Sequence, residues 1–119
     1  MDRVQLLWVA QGHTLPQAGV KTHRHPYYHM FYMTAGTCTF TVEGEEYALK
    51  SGQCLLVPRE GAHSYYNPHS EIMEFLEVKF ALPQNAFEST LTKMGTIISD
   101  DELVGLLIRQ ILQEWTEKS

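Results

Sequence analysis

The sequence has little cysteine, few basic residues and no long hydrophobic run, and each shortage excludes a class of protein. Its 119 residues include two cysteines, Cys38 and Cys54, without CxxC spacing, so no disulfide framework is predicted. Nine Lys and Arg against 14 Asp and Glu give a formal net charge of −5, which argues against nucleic-acid binding by this chain alone. No apolar run reaches the roughly 18–20 residues that span a bilayer, and the N-terminus does not resemble a signal peptide. We therefore expect a cytoplasmic protein.

The composition is that of an ordinary globular domain, with 44% hydrophobic residues, and the pattern of short apolar stretches indicates mainly β-structure. Residues 4–80 are rich in Val, Thr, Tyr and Phe, and Gly or Pro interrupts them every eight to fifteen residues or so, which predicts an all-β barrel or sandwich. In residues 37–42, threonines alternate with apolar residues, so Cys38, Phe40 and Val42 should face the core. Glu43-Gly44-Glu45 should form the following hairpin turn.

Beyond Pro83 the pattern changes from strands to helices. A short helix is predicted over residues 85–94, and a second from Ser99, the first residue of a capping box, to about Glu117. We expect one domain, with residues 1–82 as the barrel and its N-terminal arm and residues 83–119 as a helical pair. The apolar stripe of the second helix either packs on the barrel or forms a dimer seam. The candidate dimer contacts are Leu103, Leu107, Ile108, Ile111 and Trp115.

Histidine is the over-represented residue type, with six copies. His23, His25 and His29 all occupy odd positions, so on one extended strand they would share a face. A turn should deliver His63 to the same space from another strand. Neutral imidazole is the commonest transition-metal ligand at pH 7, so the sequence predicts an open mononuclear site for Zn, Ni, Fe or Cu. The alternative is a set of polar side chains that line the barrel without a metal.

The two histidine stretches resemble the paired motifs of the cupin superfamily. The matching features are the His-x-His pair, Gly52-x5-Pro58 and His63-x3-Asn67, whereas His29 stands where the first cupin motif has an acidic ligand. The resemblance spans roughly residues 15–80. It implies a double-stranded antiparallel β-barrel, or jelly roll, whose histidines surround a central cavity.

A narrower resemblance covers nearly the whole chain. The segments HRHPYYHMFYMTAG, FTVEGEEYALKSGQCLLVP and FLEVKFAL, followed by two helices, look like the effector-binding domain of AraC-type transcription regulators. In that family the cupin domain senses a small molecule and dimerises through its C-terminal helices. A separate helix-turn-helix domain reads DNA, and these 119 residues contain none. The resemblance therefore implies a homodimeric sensor domain of a longer regulator, rather than an enzyme.

Aromatic and apolar side chains near the histidines are candidates for lining an effector pocket, although each is also a candidate core residue. They are Tyr27, Phe31, Met33, Phe40, Tyr47 and Tyr65. The competing functions are a metal-dependent cupin oxygenase or isomerase and a metabolite-binding cupin without a regulatory role. For an enzyme, Glu74 is a candidate inward carboxylate, because it shares the parity of Leu76 and Val78.

Overall fold

The computed structural model describes residues 5–81, the backbone of residues 97–99, and residues 109, 113 and 115–117. This part of the chain is mainly β-structure and contains nine strands. They are β1 (Gln5–Thr14), β2 (Gly19–His23), β3 (Tyr28–Ala35), β4 (Thr37–Val42), β5 (Glu45–Lys50), β6 (Cys54–Val57), β7 (His63–Tyr66), β8 (Met73–Ala81) and β9 (Ile97–Ser99). Among the described residues, no helix is long and apolar enough to cross a membrane.

The strands form two antiparallel sheets that pack face to face. The larger sheet has the order β1-β8-β3-β6-β9, and the smaller has the order β2-β7-β4-β5. From β2 to β4 and again from β5 to β8, each successive strand lies in the opposite sheet, so the chain repeatedly crosses the top or bottom of the barrel. This is the jelly-roll barrel that the sequence predicts.

The β4–β5 hairpin is confirmed, with a turn one residue shorter than predicted because Glu45 belongs to β5. Val42 pairs with Glu45, which leaves Glu43 and Gly44 as a two-residue turn. Both turn residues have positive φ, 49° and 83°, as the tight turns of right-twisted hairpins require. Glycine adopts this backbone conformation without a steric penalty, which explains the position of Gly44.

The main hydrophobic core lies between the two sheets. Alternate side chains of β3, β6 and β8 meet those of β4 and β5, and the predicted inward positions Cys38, Phe40 and Val42 are all buried. The buried members of this core are Phe31, Met33, Cys38, Phe40, Val42, Leu49, Leu55, Val57, Met73 and Phe75. Because interiors are packed as densely as organic crystals, these side chains fill the centre of the barrel.

The outer face of the larger sheet carries a second apolar cluster. Val9, Cys54, Leu76 and Val78 are buried there, and Trp115 from the C-terminal segment packs against them. Both faces of this sheet are therefore apolar. Apolar residues therefore occupy the even positions of β8 on this outer face as well as odd positions that face the main core.

The C-terminal part of the chain differs from the sequence prediction. Residues 97–99 form β9, which pairs with β6 and extends the larger sheet by a strand that the helical pattern did not predict. Residues 109, 113 and 115–117 are helical, in agreement with the end of the second predicted helix. The described residues thus contain one short helical stretch rather than two helices. The first predicted helix, residues 85–94, and the stripe positions Leu103, Leu107, Ile108 and Ile111 lie outside the described residues.

Candidate metal centre

Three histidines converge at one end of the barrel. His23 ends β2 and pairs in register with His63, the first residue of β7. Their ring centroids are 4.2 Å apart, and the His25 ring lies 4.6 Å from His23 and 5.3 Å from His63. One potential ligand atom from each of the three rings lies within 4.8 Å of the other two. The structure therefore brings together residues that are 40 positions apart in sequence.

The convergence does not arise from one continuous strand, as the parity argument assumed. β2 ends at His23 in the smaller sheet, and β3 begins at Tyr28 in the larger sheet, so His25 lies on the crossover between them. Pro26 interrupts the run because proline has no N–H to donate to a strand ladder. Parity correctly places His29 on the inner face, whereas the loop conformation positions His25.

A network of hydrogen bonds fixes the loops that carry these histidines. Arg24 Nη1 donates to the carbonyl of Glu60 at 2.7 Å, and the backbone N–H of Glu60 donates to the carbonyl of His25 at 2.7 Å. The carboxylate of Glu43 accepts from the N–H of Ala62 at 2.6 Å. Arg24 is exposed, as its outward parity indicates, but it ties the crossover to the loop that precedes His63.

Carbonyl groups also set the orientation of two rings. Nδ1 of His23 donates to the carbonyl of Lys21 at 2.7 Å, and Nδ1 of His63 donates to the carbonyl of Gly61 at 2.8 Å. A carbonyl only accepts, so Nδ1 carries the proton in each neutral ring and Nε2 keeps a lone pair. Such carbonyl partners are the usual outer contacts of metal-binding histidines. Nε2 of His63 is buried and has no hydrogen-bond partner among the described residues.

His29 stands apart from the other three histidines. Its ring centroid lies 5.9 Å from those of His25 and His63, and it stacks on Phe31 at 4.0 Å. Its Nε2 lies 2.9 Å from Oε1 of Glu77, and its buried Nδ1 has no hydrogen-bond partner among the described residues. The structure therefore groups His23, His25 and His63 and places His29 behind them, bound to a carboxylate.

Glu77 and Lys79 are the residues of this region that the sequence analysis missed. Both lie on the inner face of β8, opposite Phe31 and His29 of β3, and their charged atoms are 3.9 Å apart. The candidate carboxylate Glu74 is exposed instead, so its assignment to the barrel interior was wrong. Charges at alternate positions, Glu77 and Lys79, were the available signal that the odd face of β8 meets a polar site.

Burial favours the neutral form of three histidines at this end of the barrel, His25, His29 and His63. Burial, together with the nearby charges of His23, His29 and Lys79, lowers the pKa of His25 to about 4. Burial also lowers the pKa of His63 to about 4, although the hydrogen bond that Nδ1 donates to the carbonyl of Gly61 raises it. The pKa of His29 is lowered by burial, although Glu77 opposes this shift. Neutral imidazole is the form that binds metals, so these rings need not release a proton to do so at pH 7.

The donor set fits a single transition-metal ion. Nitrogen ligands bind such ions at about 2.0–2.1 Å, which sets tetrahedral ligand atoms roughly 3.4 Å apart, so the three donor atoms, now within 4.8 Å of one another, need to close by at most roughly 1.5 Å. An unpartnered buried nitrogen on His63 is costly to the fold unless something binds it. An all-nitrogen set favours Zn, Ni, Fe or Cu over Mg or Ca. His13 and His69, which match no motif, are exposed and lie outside the cluster.

Most of the predicted pocket residues lie in the core. Phe31, Met33 and Phe40 are fully buried between the sheets, and Tyr47 and Tyr65 pack against the same cluster. Tyr27 is the exception, because it is half-buried and stacks on His25 at 4.7 Å with nearly parallel rings. Of the six residues, Tyr27 therefore lies beside the histidine cluster, and the others support the barrel beneath it.

Asn67, the asparagine of the second histidine motif, holds backbone segments together. Asn67 is completely buried, and its amide donates to the carbonyls of Glu71 at 2.7 Å and Thr14 at 3.2 Å. Its side-chain oxygen accepts from the N–H of His69 at 3.0 Å. Asn67 thus links the end of β1 to the connection between β7 and β8 and fixes the end of β7.

Comparison with known proteins identifies the family. Residues 12–79, more than half of the chain, match the family model described as Cupin domain. The chain belongs to the cupin family. No curated protein matches this cupin in sequence.

Solved structures share the fold of this cupin at low identity. A Thermotoga maritima protein described as a predicted oxalate decarboxylase is 24% identical, with a TM-score of 0.61 over 66% of this chain and 69% of that one. Salicylate 1,2-dioxygenase from Pseudaminobacter salicylatoxidans is 16% identical, with a TM-score of 0.59 over 77% of this chain and 25% of that one. DMSP lyase DddQ from Ruegeria pomeroyi is 18% identical, with a TM-score of 0.56 over 60% and 36%. At these identities the likeness shows the fold alone.

Proposed function

We propose that this cupin is a metal-dependent enzyme whose His23, His25 and His63 hold one transition-metal ion. The observation that carries the proposal is the buried, unpartnered Nε2 of His63, which lies beside two further imidazoles whose ligand atoms are within 4.8 Å. Three protein ligands leave coordination positions open for a substrate, as in catalytic rather than structural sites. The structural neighbours include proteins named as enzymes, so the fold is compatible with catalysis.

The protein's residues have separate tasks in this proposal. When bound, the metal ion supplies Lewis-acid or redox chemistry, which suits an oxygenase or an isomerase. The carbonyls of Lys21 and Gly61 hold two rings in the tautomer that exposes Nε2. Glu77 accepts the hydrogen bond of His29 and is a candidate carboxylate for proton transfer at the site. The aromatic core below the histidines excludes water from that side.

Metal analysis of matched variants tests the proposal. The purified protein is titrated with Zn(II), Ni(II), Fe(II) and Cu(II), and bound metal is measured by mass spectrometry after desalting. We expect one ion per chain for the wild type and for H13Q, which alters an exposed histidine, and none for H63Q. The loaded protein is then assayed for oxygen uptake, isomerisation and decarboxylation with small carboxylic acids. Failure of the wild type to retain any of the four metals would refute the proposal.

A second candidate function is effector sensing and dimerisation in an AraC-type regulator. The sequence resemblance supports it, and so does an open cleft of about 720 Å³ between β1 and the C-terminal segment. Trp8, Gln11, Arg109 and Trp115 are among the residues that line this cleft. In this function a small molecule shifts the C-terminal segment between two arrangements, and homodimerisation couples that shift to a DNA-binding domain. The two buried, free thiols of Cys38 and Cys54 suit the reducing cytosol where such a regulator works.

Two measurements separate the candidates. The first is the sequence of the native gene beyond the codon for Ser119, which shows whether helix-turn-helix patterns are encoded there. Sedimentation of the chain as a function of concentration reports whether a dimer forms. Helix-turn-helix codons together with a dimer favour the sensor, whereas a stop codon together with turnover by the metal-loaded protein favours the enzyme.

A further inference from the structure

Lys79 occupies a position where a lysine is unexpected. It lies on the inner face of β8, directly opposite His29 in the β3–β8 register. Its side chain is 24% exposed, so most of it is removed from water. Burying an ammonium group is costly unless partners compensate for the lost hydration. A lysine at this end of the barrel therefore needs a reason beyond packing.

The described partners of Lys79 do not use its hydrogen-bonding capacity. Nζ lies 3.9 Å from Oε1 of Glu77, at the outer limit of an ion pair, and that oxygen already accepts from His29 at 2.9 Å. Nζ also lies 5.8 Å from the centre of the Tyr27 ring, at the outer limit of a cation–π contact. An ammonium group has three N–H donors. Among residues 5–81, no acceptor lies within hydrogen-bond distance of Nζ.

Tyr27 connects Lys79 to the metal centre. Nζ of Lys79 lies 5.8 Å from the centre of the Tyr27 ring, and that ring stacks on His25 with the ring centroids 4.7 Å apart. The unused donors of Lys79 thus lie one aromatic ring away from a proposed metal ligand. A divalent ion and Lys79 together outweigh the single negative charge of Glu77, so this end of the barrel attracts anions.

We propose that Lys79 binds the carboxylate of a small anionic substrate whose second oxygen donor reaches the metal centre. The inference rests on the proposed metal-dependent function and adds the substrate class, namely small carboxylates. Tyr27 provides an aromatic surface beside the ligand, and the carboxylate takes the hydrogen bonds that Glu77 leaves unused.

Binding of lactate, with lactamide as its neutral counterpart, tests the proposal. Affinities are measured by isothermal titration calorimetry on Ni(II)-loaded and on metal-free protein. We expect lactate to bind the wild type at least about tenfold more tightly than lactamide, because a charge-assisted hydrogen bond is lost with the amide. K79M should weaken lactate binding by about tenfold or more, whereas K79R should retain it within about threefold. K50M, which removes an exposed lysine at the end of β5, serves as the matched control.

The titrations of metal-loaded and metal-free protein distinguish failure of the Lys79 proposal from failure of the proposed metal-dependent function. If the wild type retains no metal, the metal-dependent function fails, and the metal-free titrations still report whether lactate binding depends on Lys79. Equal affinity for lactate and lactamide, or equal lactate affinity in wild type and K79M, would overturn the role of Lys79. Should K79M fail to fold by circular dichroism, K79Q and the lactate–lactamide comparison on wild type decide the question.

Discussion

Nε2 of His29 lies 2.9 Å from Oε1 of Glu77, although the two residues are 48 positions apart. The contact joins β3 to β8 across the inner face of the larger sheet and is largely buried, with 5% and 16% of the two side chains exposed. A buried imidazole N–H without an acceptor would destabilise the fold, so the carboxylate has a structural role whatever the site binds.

Replacing Glu77 tests that role. E77A leaves the N–H of His29 without its acceptor, and we expect the free energy of unfolding to fall by about 1–3 kcal/mol in urea titrations. E77Q keeps a carbonyl oxygen at the same place and should cost less than about 1 kcal/mol. Equal losses for the two variants would show that the hydrogen bond contributes little and that packing dominates.

Metal binding should stabilise the folded protein. A ligand that binds only the native state adds about 2.7 kcal/mol at a free concentration one hundred times its Kd. We expect Zn(II) or Ni(II) to raise the denaturation midpoint of the wild type and of H13Q. H23Q, H25Q and H63Q each remove one of the three clustered ligands, and their midpoints should not respond to the same metal concentration. An unchanged response in H63Q would place the metal elsewhere.

The metal-free protein should lose stability in mild acid. The pKa values of His25 and His63 are about 4 in the folded protein, against an ordinary value of 6.5. Between these values the unfolded chain binds more protons than the folded one, so the free energy of unfolding falls as the pH drops from about 6.5 to about 4. Urea titrations across this range measure the slope, and H63Q should make it shallower. A slope that H63Q leaves unchanged would assign the acid sensitivity to other groups.

Trp115 distinguishes packing on the barrel from a dimer seam. It is half-buried against the cluster that contains Val9, Leu76 and Val78. If this contact stabilises the subunit, W115A should lower the free energy of unfolding by about 1–3 kcal/mol without changing the sedimentation coefficient. The exposed neighbour Glu117 provides a control, because E117A should change stability by no more than about 0.5 kcal/mol. Dissociation of a dimer by W115A would instead support the seam.

Much of the candidate site was predictable from residue type and spacing. His23, His25 and His63 were recognisable because imidazoles at cupin motif positions are rare by chance, and the structure brings their rings together. His29 was predicted as a fourth ligand, and its inward direction follows from strand parity. Its distance from the cluster and its bond to Glu77 depend on β8, which lies far away in sequence. Spacing along one strand carries no information about such a partner.

The helical prediction shows the same limit. A three- and four-residue apolar repeat correctly indicated helical backbone at residues 115–117, because that period is a local property. The strand at residues 97–99 exists because β6 offers an unpaired edge to it, and a short apolar run does not reveal that edge. Similarly, Phe31, Met33 and Phe40 were equally good candidates for pocket and core until the opposing sheet was in place.

The sequence by itself determined the all-β class of the barrel, the alternation of β4, the position of the β4–β5 turn and the identity of three metal-binding candidates. These are local consequences of backbone geometry, side-chain period and residue chemistry. Only the tertiary structure decided which face of β8 points inward, because both faces of the larger sheet are apolar and periodicity alone does not rank them. That choice turns Glu74 outward and sets Glu77 and Lys79 beside His29, where they complete the site.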